Sequence, residues 1–285
     1  MHIQVNGLDF SVELTGAGAP VLLLHGFTGS TAAWGPIRSW LAEHRQVIGV
    51  DLIGHGRSAC PADPDRYTME HAVADLSAVL DRLNLDQVDV MGYSMGARLA
   101  LFFAVEAPQR VHSLVLESGS PGLREAAERM ARVAADEQLG DSIERDGLAA
   151  FVDYWEAIPL FASQLSLPLE LRQQHRQQRL EGSEVGLANS LRGMGTGRQQ
   201  SLWDELEKLA SPVLILAGEI DDKYCTIARE MDALIPCSQL SVIPMAGHTI
   251  HLEQPELFRH SVEEFLGGSD NEAAKRVPGA RRTGQ

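Results

Sequence analysis

The sequence predicts an α/β fold in which a mostly parallel β-sheet is flanked by helices and carries an inserted helical cap. Short, continuous runs of β-branched and other apolar residues alternate with segments of helical periodicity. This alternation is typical of strands that are buried on both faces of a parallel sheet. It stops after Ser120 and resumes at Pro212, and the residues between show mostly helical patterns.

The individual elements follow from these runs in chain order. Strands are predicted at residues 21–24, 47–50, 88–91, 114–116, 213–216 and 240–243. Helices are predicted at residues 36–44, 72–83, 95–107 and 256–266. In the second helix, Val73, Leu76 and Leu80 recur at the spacing of one helix face.

The length of 285 residues fits one large domain or a core with an inserted cap. We assign residues 1–120 and 208–267 to the core and residues 121–207 to the helical cap. Residues 268–285 are rich in Gly, Arg and Ala and have no apolar periodicity, so we expect a disordered tail there.

Composition narrows the function class. The chain has 24 basic and 39 acidic residues, a net charge of −15, which argues against binding to nucleic acid or to an anionic membrane. No apolar run approaches the ~20 residues of a membrane-spanning helix. The cysteines Cys60, Cys225 and Cys237 form no CxxC motif, and the N-terminus has no signal-peptide pattern. We therefore expect a cytoplasmic protein, and a monomer.

The most informative stretch is Gly-Tyr-Ser-Met-Gly at residues 92–96, between a predicted strand and a predicted helix. It matches the G-x-S-x-G nucleophile elbow in the strand–turn–helix context that this motif requires. The helix that starts after Ser94 places backbone N–H groups and the positive end of its dipole beside the hydroxyl. Ser94 is therefore the candidate catalytic serine.

A catalytic triad also needs an acid and a histidine, here in the chain order Ser, Asp, His. Asp221 follows the strand at 213–216 and can face the crevice at the sheet's carboxyl end, with Asp222 as the second candidate. His248 follows a small-residue turn after the last predicted strand. His251 is its rival, although we expect it to pack or cap.

The loop His-Gly-Phe-Thr-Gly at residues 25–29 follows the first predicted strand. A main-chain N–H from such a loop pairs with the N–H after the serine to form an oxyanion hole. We predict Phe27 and Met95 as the two donors, with a simple tight turn as the alternative for this loop. His55, in a similar glycine-rich turn, is predicted to be architectural.

Arg98 lies four residues after Ser94, one helical turn on, so its guanidinium should point toward the crevice mouth. An unpaired charge is costly there. Because arginine binds carboxylates through paired hydrogen bonds, several arginines at one cavity would suit a substrate with more than one carboxylate. Ordinary surface charge is the alternative for the cap arginines.

Together these motifs resemble the α/β-hydrolase superfamily over roughly residues 1–267. The segments 92–101, 117–123, 190–197 and 218–223 are similar to one family within it, the 2-succinyl-6-hydroxy-2,4-cyclohexadiene-1-carboxylate synthases of menaquinone biosynthesis. This likeness continues through the cap, where α/β hydrolases diverge. Two departures are Ala97, where many members have glycine, and Glu156, where some have tyrosine.

The resemblance implies a substrate and its contacts. The family eliminates pyruvate from an enolpyruvyl cyclohexene that carries three carboxylates, and it needs neither a metal nor an organic cofactor. Its anion-binding arginines correspond to Arg98, Arg132 and Arg179 in this sequence. Trp155 and Tyr93 are implied to line the same substrate site.

In the implied mechanism, Ser94 acts as the base that removes the proton α to the succinyl ketone. His248, oriented by Asp221, keeps Ser94 ready for this role. A serine hydrolase that cleaves an ester or a vinylogous C–C bond through an acyl-enzyme would use the same residues. The arginines favour the lyase over this alternative. A non-catalytic ligand receptor on the same fold is a remote alternative.

Overall fold

A computed structural model describes residues 1–276 of the chain, and within them eight strands form one sheet. The strands are β1 (His2–Val5), β2 (Leu8–Thr15), β3 (Ala19–Leu24), β4 (Arg45–Val50), β5 (Val88–Tyr93), β6 (Val111–Glu117), β7 (Val213–Gly218) and β8 (Ser238–Ile243). Their order is β1-β2-β4-β3-β5-β6-β7-β8. Strand β2 pairs antiparallel with β1 and β4, and all other pairs are parallel. The predicted mostly parallel sheet is confirmed.

Strands β1 and β2 were not predicted by the sequence analysis. They form a hairpin whose turn is Asn6-Gly7, and both turn residues have positive φ. Along β1, buried and exposed residues alternate, because only one face of this hairpin packs on the core. A search for continuous apolar runs misses such a strand, whereas the Asn-Gly pair is the signal that indicates it.

Ten α-helices belong to the described residues. They are α1 (Gly35–Leu41), α2 (Met69–Arg82), α3 (Met95–Glu106), α4 (Ala126–Asp146), α5 (Leu148–Ala157), α6 (Leu169–Leu180), α7 (Glu184–Met194), α8 (Asp222–Leu234), α9 (Ile250–Glu253) and α10 (Pro255–Arg276). Short 3₁₀ segments lie at Thr31–Trp34, Pro64–Tyr67, Pro108–Arg110, Pro159–Ser166 and Trp203–Lys208.

The helices cover both faces of the sheet because the side chains of each strand alternate between the faces. Leu22 and Leu24 of β3 pack into a cluster that includes apolar residues of α2, α3 and α8. Val21 and Leu23 of the same strand pack on the opposite face, in a cluster that includes residues of α1 and α10. This two-sided burial explains why the parallel strands are apolar at successive positions.

The inserted cap lies between β6 and β7 and contains α4 to α7 together with the 3₁₀ segment Pro159–Ser166. It has its own apolar cluster, built around Ile143, Phe151 and Leu191. The cap also touches the core backbone, since a Cβ at Gly186 would overlap the carbonyl oxygen of Gly54. Close approach of α7 to this core loop therefore requires glycine.

Helix α10 continues through Arg276, beyond residue 268 where the sequence analysis starts the disordered tail. The stretch Glu-Ala-Ala-Lys at residues 272–275 consists of good helix formers, which accounts for the difference. Residues 277–285 of the expected tail lie outside the described residues. Within residues 1–276, no helix combines the length and the apolar character needed to cross a membrane.

Candidate active site

Ser94 occupies a strained turn between β5 and α3. Its φ of 52° lies in the left-handed region that residues other than glycine rarely adopt. A Cβ at Gly92 would overlap the carbonyl oxygen of Gly96, and a Cβ at Gly96 would overlap that of Leu24. The turn therefore needs glycine at both positions. The Ser94 N–H donates to the carbonyl oxygen of Glu117 on the adjacent strand at 2.8 Å, which holds the turn on the sheet.

Two hydrogen bonds link Ser94 to His248 and Asp221. The Ser94 Oγ lies 2.9 Å from His248 Nε2, and His248 Nδ1 lies 2.8 Å from Asp221 Oδ2. When the N–H at Nδ1 donates to the carboxylate, Nε2 is left as the acceptor for the serine hydroxyl. His248 and Asp221 are both buried. The structure thus brings the three predicted residues together with the geometry of a Ser-His-Asp triad.

The acid of this arrangement is Asp221 and not its neighbour Asp222. Asp221 precedes α8, and its Oδ1 also accepts the N–H of Tyr224 at 3.3 Å, so the carboxylate is fixed by the start of the helix. Asp222 is exposed. The Tyr224 ring stands edge-on to the His248 ring, with 4.5 Å between the ring centroids.

His251 lies away from Ser94 in a buried pair with Glu117. Its Nδ1 is 2.8 Å from Glu117 Oε2, and its main-chain N–H donates to Glu117 Oε1 at 3.0 Å. Its ring also packs at a centroid distance of 4.7 Å from Trp34. His251 therefore packs, as the sequence analysis expects, and it ties the loop that carries His248 to β6.

The two predicted oxyanion donors, Phe27 and Met95, line the same cavity as Ser94. Met95 is the first residue of α3, so its N–H has no acceptor within the helix. Phe27 lies in the loop after β3, which is closed by a hydrogen bond of 3.0 Å from the Gly29 N–H to the Gly26 carbonyl oxygen.

Two buried histidines support this loop. The N–H of Leu52 donates to His25 Nε2 at 3.0 Å, so the proton of His25 sits on Nδ1 and is donated to the Gly26 carbonyl oxygen at 2.8 Å. Burial lowers the pKa of His25. The His55 ring lies 5.1 Å from it, and burial together with His25 lowers the pKa of His55 to about 3. His55 is therefore neutral and packs beneath the turn, in line with the predicted architectural role.

A cavity of about 470 Å³ lies between the core and the cap, and its volume is in the range of small-molecule sites. Its lining includes Phe27, Tyr93, Ser94, Met95, Arg98 and Tyr224 from the core and Arg132, Asp136, Trp155, Phe161 and Ser190 from the cap. Within residues 1–276, no group of three or more His, Cys, Asp or Glu side chains is arranged to hold a metal ion.

Trp155 and Tyr93 supply aromatic walls of this cavity. The Trp155 ring lies 5.3 Å from that of Phe27 and 5.7 Å from that of Phe161. The hydroxyl of Tyr93 lies 2.7 Å from the Thr249 hydroxyl, and burial raises the pKa of Tyr93, so it is a neutral phenol. The structure thus places both residues on the cavity, with the Tyr93 hydroxyl already bonded within the protein.

Arg98 is a buried cation on the cavity wall. Its NH1 donates to the carbonyl oxygen of Met194 at 3.0 Å and to Gln199 Oε1 at 2.7 Å, and both acceptors are neutral. No carboxylate of the described chain forms an ion pair with it. Burial lowers the pKa of Arg98 to about 10, which leaves it charged at neutral pH. This guanidinium is therefore available to an anionic ligand.

Arg132 also lines the cavity, and it is paired there. Its Nε donates to Asp136 Oδ1 at 2.8 Å, one helical turn further along α4. Asp136 itself is 4% exposed and lines the cavity. Asp136 was not predicted from the sequence as a site residue, although its i, i+4 spacing from Arg132 is a signal that indicates it.

Arg179 does not line the cavity of Ser94 directly but lies in an adjoining cavity, which shares Phe27, Tyr93 and Phe161 with it. Its NH1 donates to Glu156 Oε1 at 2.8 Å, and it lines two neighbouring cavities instead. The Phe161 ring lies 5.8 Å from the Arg179 guanidinium and lines both the cavity of Ser94 and the adjoining one. The Glu156 carboxylate pairs with Arg176 as well as with Arg179.

Two further cavity residues, Tyr224 and Ser190, were not assigned to the site from the sequence, although Ser190 begins one of the segments that resemble the family. Tyr224 contacts His248 as described, and the Ser190 hydroxyl lies 3.6 Å from Met95 Sδ. A tyrosine three residues after the acid, or a serine inside a cap helix, carries no sequence signal of its own. Their positions depend on how α7 and α8 pack against the core.

Fold and site together define an α/β hydrolase. A family model described as the alpha/beta hydrolase fold matches residues 19–255, and the chain belongs to this family. Within it, the chain is 46% identical over 263 residues to a Bacillus subtilis protein that is provisionally named 2-succinyl-6-hydroxy-2,4-cyclohexadiene-1-carboxylate synthase. This match covers 92% of the chain and 96% of the relative.

The chain is also similar to a solved structure and to a hydrolase. The solved structure of MenH from S. aureus superposes with a TM-score of 0.88 at 35% identity, covering 92% of this chain and 99% of that one. A 2-hydroxy-6-oxo-2,4-heptadienoate hydrolase from Pseudomonas putida is 30% identical over 94% of this chain and 96% of its own length. The chain is thus similar both to synthases and, more distantly, to a hydrolase.

The buried His55 predicts a pH dependence of stability. The unfolded chain protonates this residue near its ordinary pKa of 6.5, whereas the folded chain does so only near 3. Between these values the unfolded state binds more protons, so the free energy of unfolding falls as the pH falls, by up to about 1.4 kcal/mol per pH unit. We expect His55→Gln to make this fall shallower.

Urea denaturation of the wild type and of His55→Gln at about pH 7 and about pH 5 measures the difference. The exposed His44 supplies the control variant His44→Gln. Equal losses of stability in the wild type and in His55→Gln would contradict the assignment of His55 as a neutral buried residue.

Proposed function

We propose that the chain is a lyase of menaquinone biosynthesis. It would eliminate pyruvate from 2-succinyl-5-enolpyruvyl-6-hydroxy-3-cyclohexene-1-carboxylate to give 2-succinyl-6-hydroxy-2,4-cyclohexadiene-1-carboxylate. The observation that carries this proposal is Arg98, a buried guanidinium that shares a cavity with Ser94 and whose hydrogen-bond acceptors among the described residues, Met194 and Gln199, are both neutral. A substrate with several carboxylates supplies the missing counter-ion.

In this proposal, Ser94 is the base that removes the proton α to the succinyl ketone. The serine hydroxyl gives its own proton to His248 Nε2 as it takes the proton from carbon, and Asp221 stabilises the imidazolium. The C–H electron pair moves through the ring, the bond from the ring carbon to the enolpyruvyl oxygen breaks, and the leaving group becomes pyruvate after protonation. The product is a conjugated diene, and no covalent bond to the protein forms.

The negative charge that develops on the ketone oxygen needs stabilisation. The main-chain N–H groups of Phe27 and Met95 would donate to this oxygen, a contribution that is about 10²–10³ in rate for a single donor in other enzymes. Arg98 and Arg132 would hold carboxylates of the substrate, and Arg98, one helical turn from Ser94, would so fix the reacting carbon next to the serine. The aromatic ring of Trp155 would pack against the substrate.

A serine hydrolase is the second candidate function. The observation that favours it is the likeness to the Pseudomonas putida hydrolase, because the triad geometry suits an acyl-enzyme as well as a base. Arg98 argues for the lyase, since an ester with an uncharged acid part would leave this buried cation unpaired. A non-catalytic receptor would not need the hydrogen-bonded order of Ser94, His248 and Asp221.

We propose that the protein acts in the cytoplasm as a monomer on a small-molecule polycarboxylate, and that the reaction uses no metal and no organic cofactor. The net charge of −15 supports the absence of a nucleic-acid partner.

Turnover of the enolpyruvyl substrate tests the function directly. Freshly prepared substrate should yield pyruvate and diene absorbance in equal amounts, faster than the spontaneous reaction. Ser94→Ala should lower kcat by about 10²–10⁴, because the base is lost. A parallel panel of p-nitrophenyl esters serves as the comparison. Brisk ester cleavage without accelerated pyruvate release would overturn the lyase in favour of the hydrolase.

Arg98→Ala should lower kcat/KM by about 30- to 150-fold, the effect of losing about 2–3 kcal/mol of a charge-assisted contact. We expect KM to rise and kcat to fall together, since the carboxylate anchor also positions the reacting carbon. Arg124→Ala is the matched control, because Arg124 pairs with Glu230 and stacks on Trp203 away from the cavity. Unchanged kinetics in Arg98→Ala would remove Arg98 from the substrate site.

A further inference from the structure

We propose that Asp136 is a positioning residue that orients Arg132 for a carboxylate of the substrate. This inference rests on the proposed function, because a polycarboxylate substrate is what gives Arg132 a second partner. It concerns a residue that neither the triad nor the family resemblance brings to attention. Three features of the site support this role: the nitrogen of Arg132 that is bound, the burial of the acid, and the backbone next to its second oxygen.

The hydrogen bond between Arg132 and Asp136 engages Nε and not the terminal nitrogens of the guanidinium. Asp136 Oδ1 accepts from Nε of Arg132 at 2.8 Å. Within residues 1–276 no further hydrogen bond engages the terminal nitrogens of Arg132, and its side chain is 41% exposed. The bond at Nε fixes the plane of the guanidinium and leaves the terminal nitrogens for a carboxylate, which they can bind through two hydrogen bonds.

Burial of the Asp136 carboxylate has a free-energy cost that an exposed i, i+4 ion pair on a helix does not have. Asp136 is 4% exposed, and its Oδ2 has no hydrogen-bond partner among the described residues. Leaving a buried carboxylate oxygen unpaired costs more free energy than an i, i+4 ion pair contributes. In agreement, burial raises the pKa of Asp136 even though Arg132 lies beside it. Stability therefore does not explain why a carboxylate stands here.

The neighbouring backbone is shaped around this carboxylate. A Cβ at Gly195, which follows α7, would lie 2.5 Å from Asp136 Oδ2. The absence of a side chain at Gly195 lets the acid sit between α4 and the end of α7, on the wall that also carries Arg98 and Ser190. The acid is thus packed between α4 and the end of α7, and its Oδ1 accepts from Arg132 Nε.

Helix α4 also supplies a control aspartate, Asp141, which does not line the cavity. Asp141 Oδ1 lies 2.7 Å from NH2 of Arg192, and the Asp141 side chain is 66% exposed. Like Asp136, Asp141 is an aspartate of α4 that pairs with an arginine, but its partner lies on α7 and its carboxylate faces solvent. Replacing Asp141 therefore controls for the loss of an aspartate from α4.

The experiment compares Asp136→Ala, Asp136→Asn, Arg132→Ala and Asp141→Ala with the wild type in two assays. Calorimetric titration with trimesate, a stable ring tricarboxylate, measures anion binding without turnover. Steady-state kinetics with the enolpyruvyl substrate measure KM and kcat. We expect Asp136→Ala to raise the Kd for trimesate and the KM about tenfold while kcat changes much less.

Asp136→Asn keeps an oxygen acceptor for Nε, so it should recover most of this loss, whereas Arg132→Ala should lose at least as much as Asp136→Ala. Asp141→Ala should resemble the wild type. Tighter binding in both Asp136 variants would overturn the proposal, because the acid would then compete with the ligand. Unchanged binding, an equal loss in Asp136→Ala and Asp136→Asn, or no trimesate binding by the wild type would also overturn it.

The two assays separate this inference from the proposed function. If the wild type does not accelerate pyruvate release, the lyase proposal fails, and the trimesate titration still decides the role of Asp136. If pyruvate release is fast and the Asp136 variants bind trimesate like the wild type, the function stands and the positioning role fails.

Discussion

The contact on which the site depends is the hydrogen bond from the Ser94 N–H to the carbonyl oxygen of Glu117. Ser94 adopts a backbone conformation that costs on the order of 1–3 kcal/mol, and such a turn persists only where its surroundings hold it. Glu117 does so through its main chain, and its side chain binds His251 in the loop that carries His248. One residue of β6 thus sets the serine and the histidine loop against the same strand.

The cavity between the core and the cap selects ligands by their charge. The chain as a whole is strongly acidic, yet the cavity contains Arg98 with neutral hydrogen-bond acceptors and Arg132 with terminal nitrogens that no hydrogen bond engages within residues 1–276. A protein of this net charge repels anions at long range, so the attraction for a polycarboxylate must come from these buried and partly buried cations at short range. The core therefore carries the reacting groups, and the boundary between core and cap carries the groups that recognise the substrate.

The sequence was informative where local backbone chemistry is restrictive. The glycines around Ser94, the buried strands before it and after it, and the acid and histidine after later strands could be predicted because each needs a particular residue type at a fixed place. The β1–β2 hairpin was missed because its alternation is weaker than a continuous apolar run. The pairing of Arg179 with Glu156 and the burial of Asp136 depend on how cap helices pack, which spacing along one helix does not determine.

The central claim is that Ser94 acts as a base toward carbon and forms no acyl-enzyme. Substrate deuterated at the ring carbon that bears the succinyl group tests it most directly, with the product analysed by mass spectrometry after enzymatic turnover. Elimination requires that this deuterium leave, so the diene should lack the label and appear with pyruvate, beyond the small amount formed without enzyme. A product that keeps the deuterium while a carbon–carbon or ester bond is cleaved would contradict the account and identify a hydrolase.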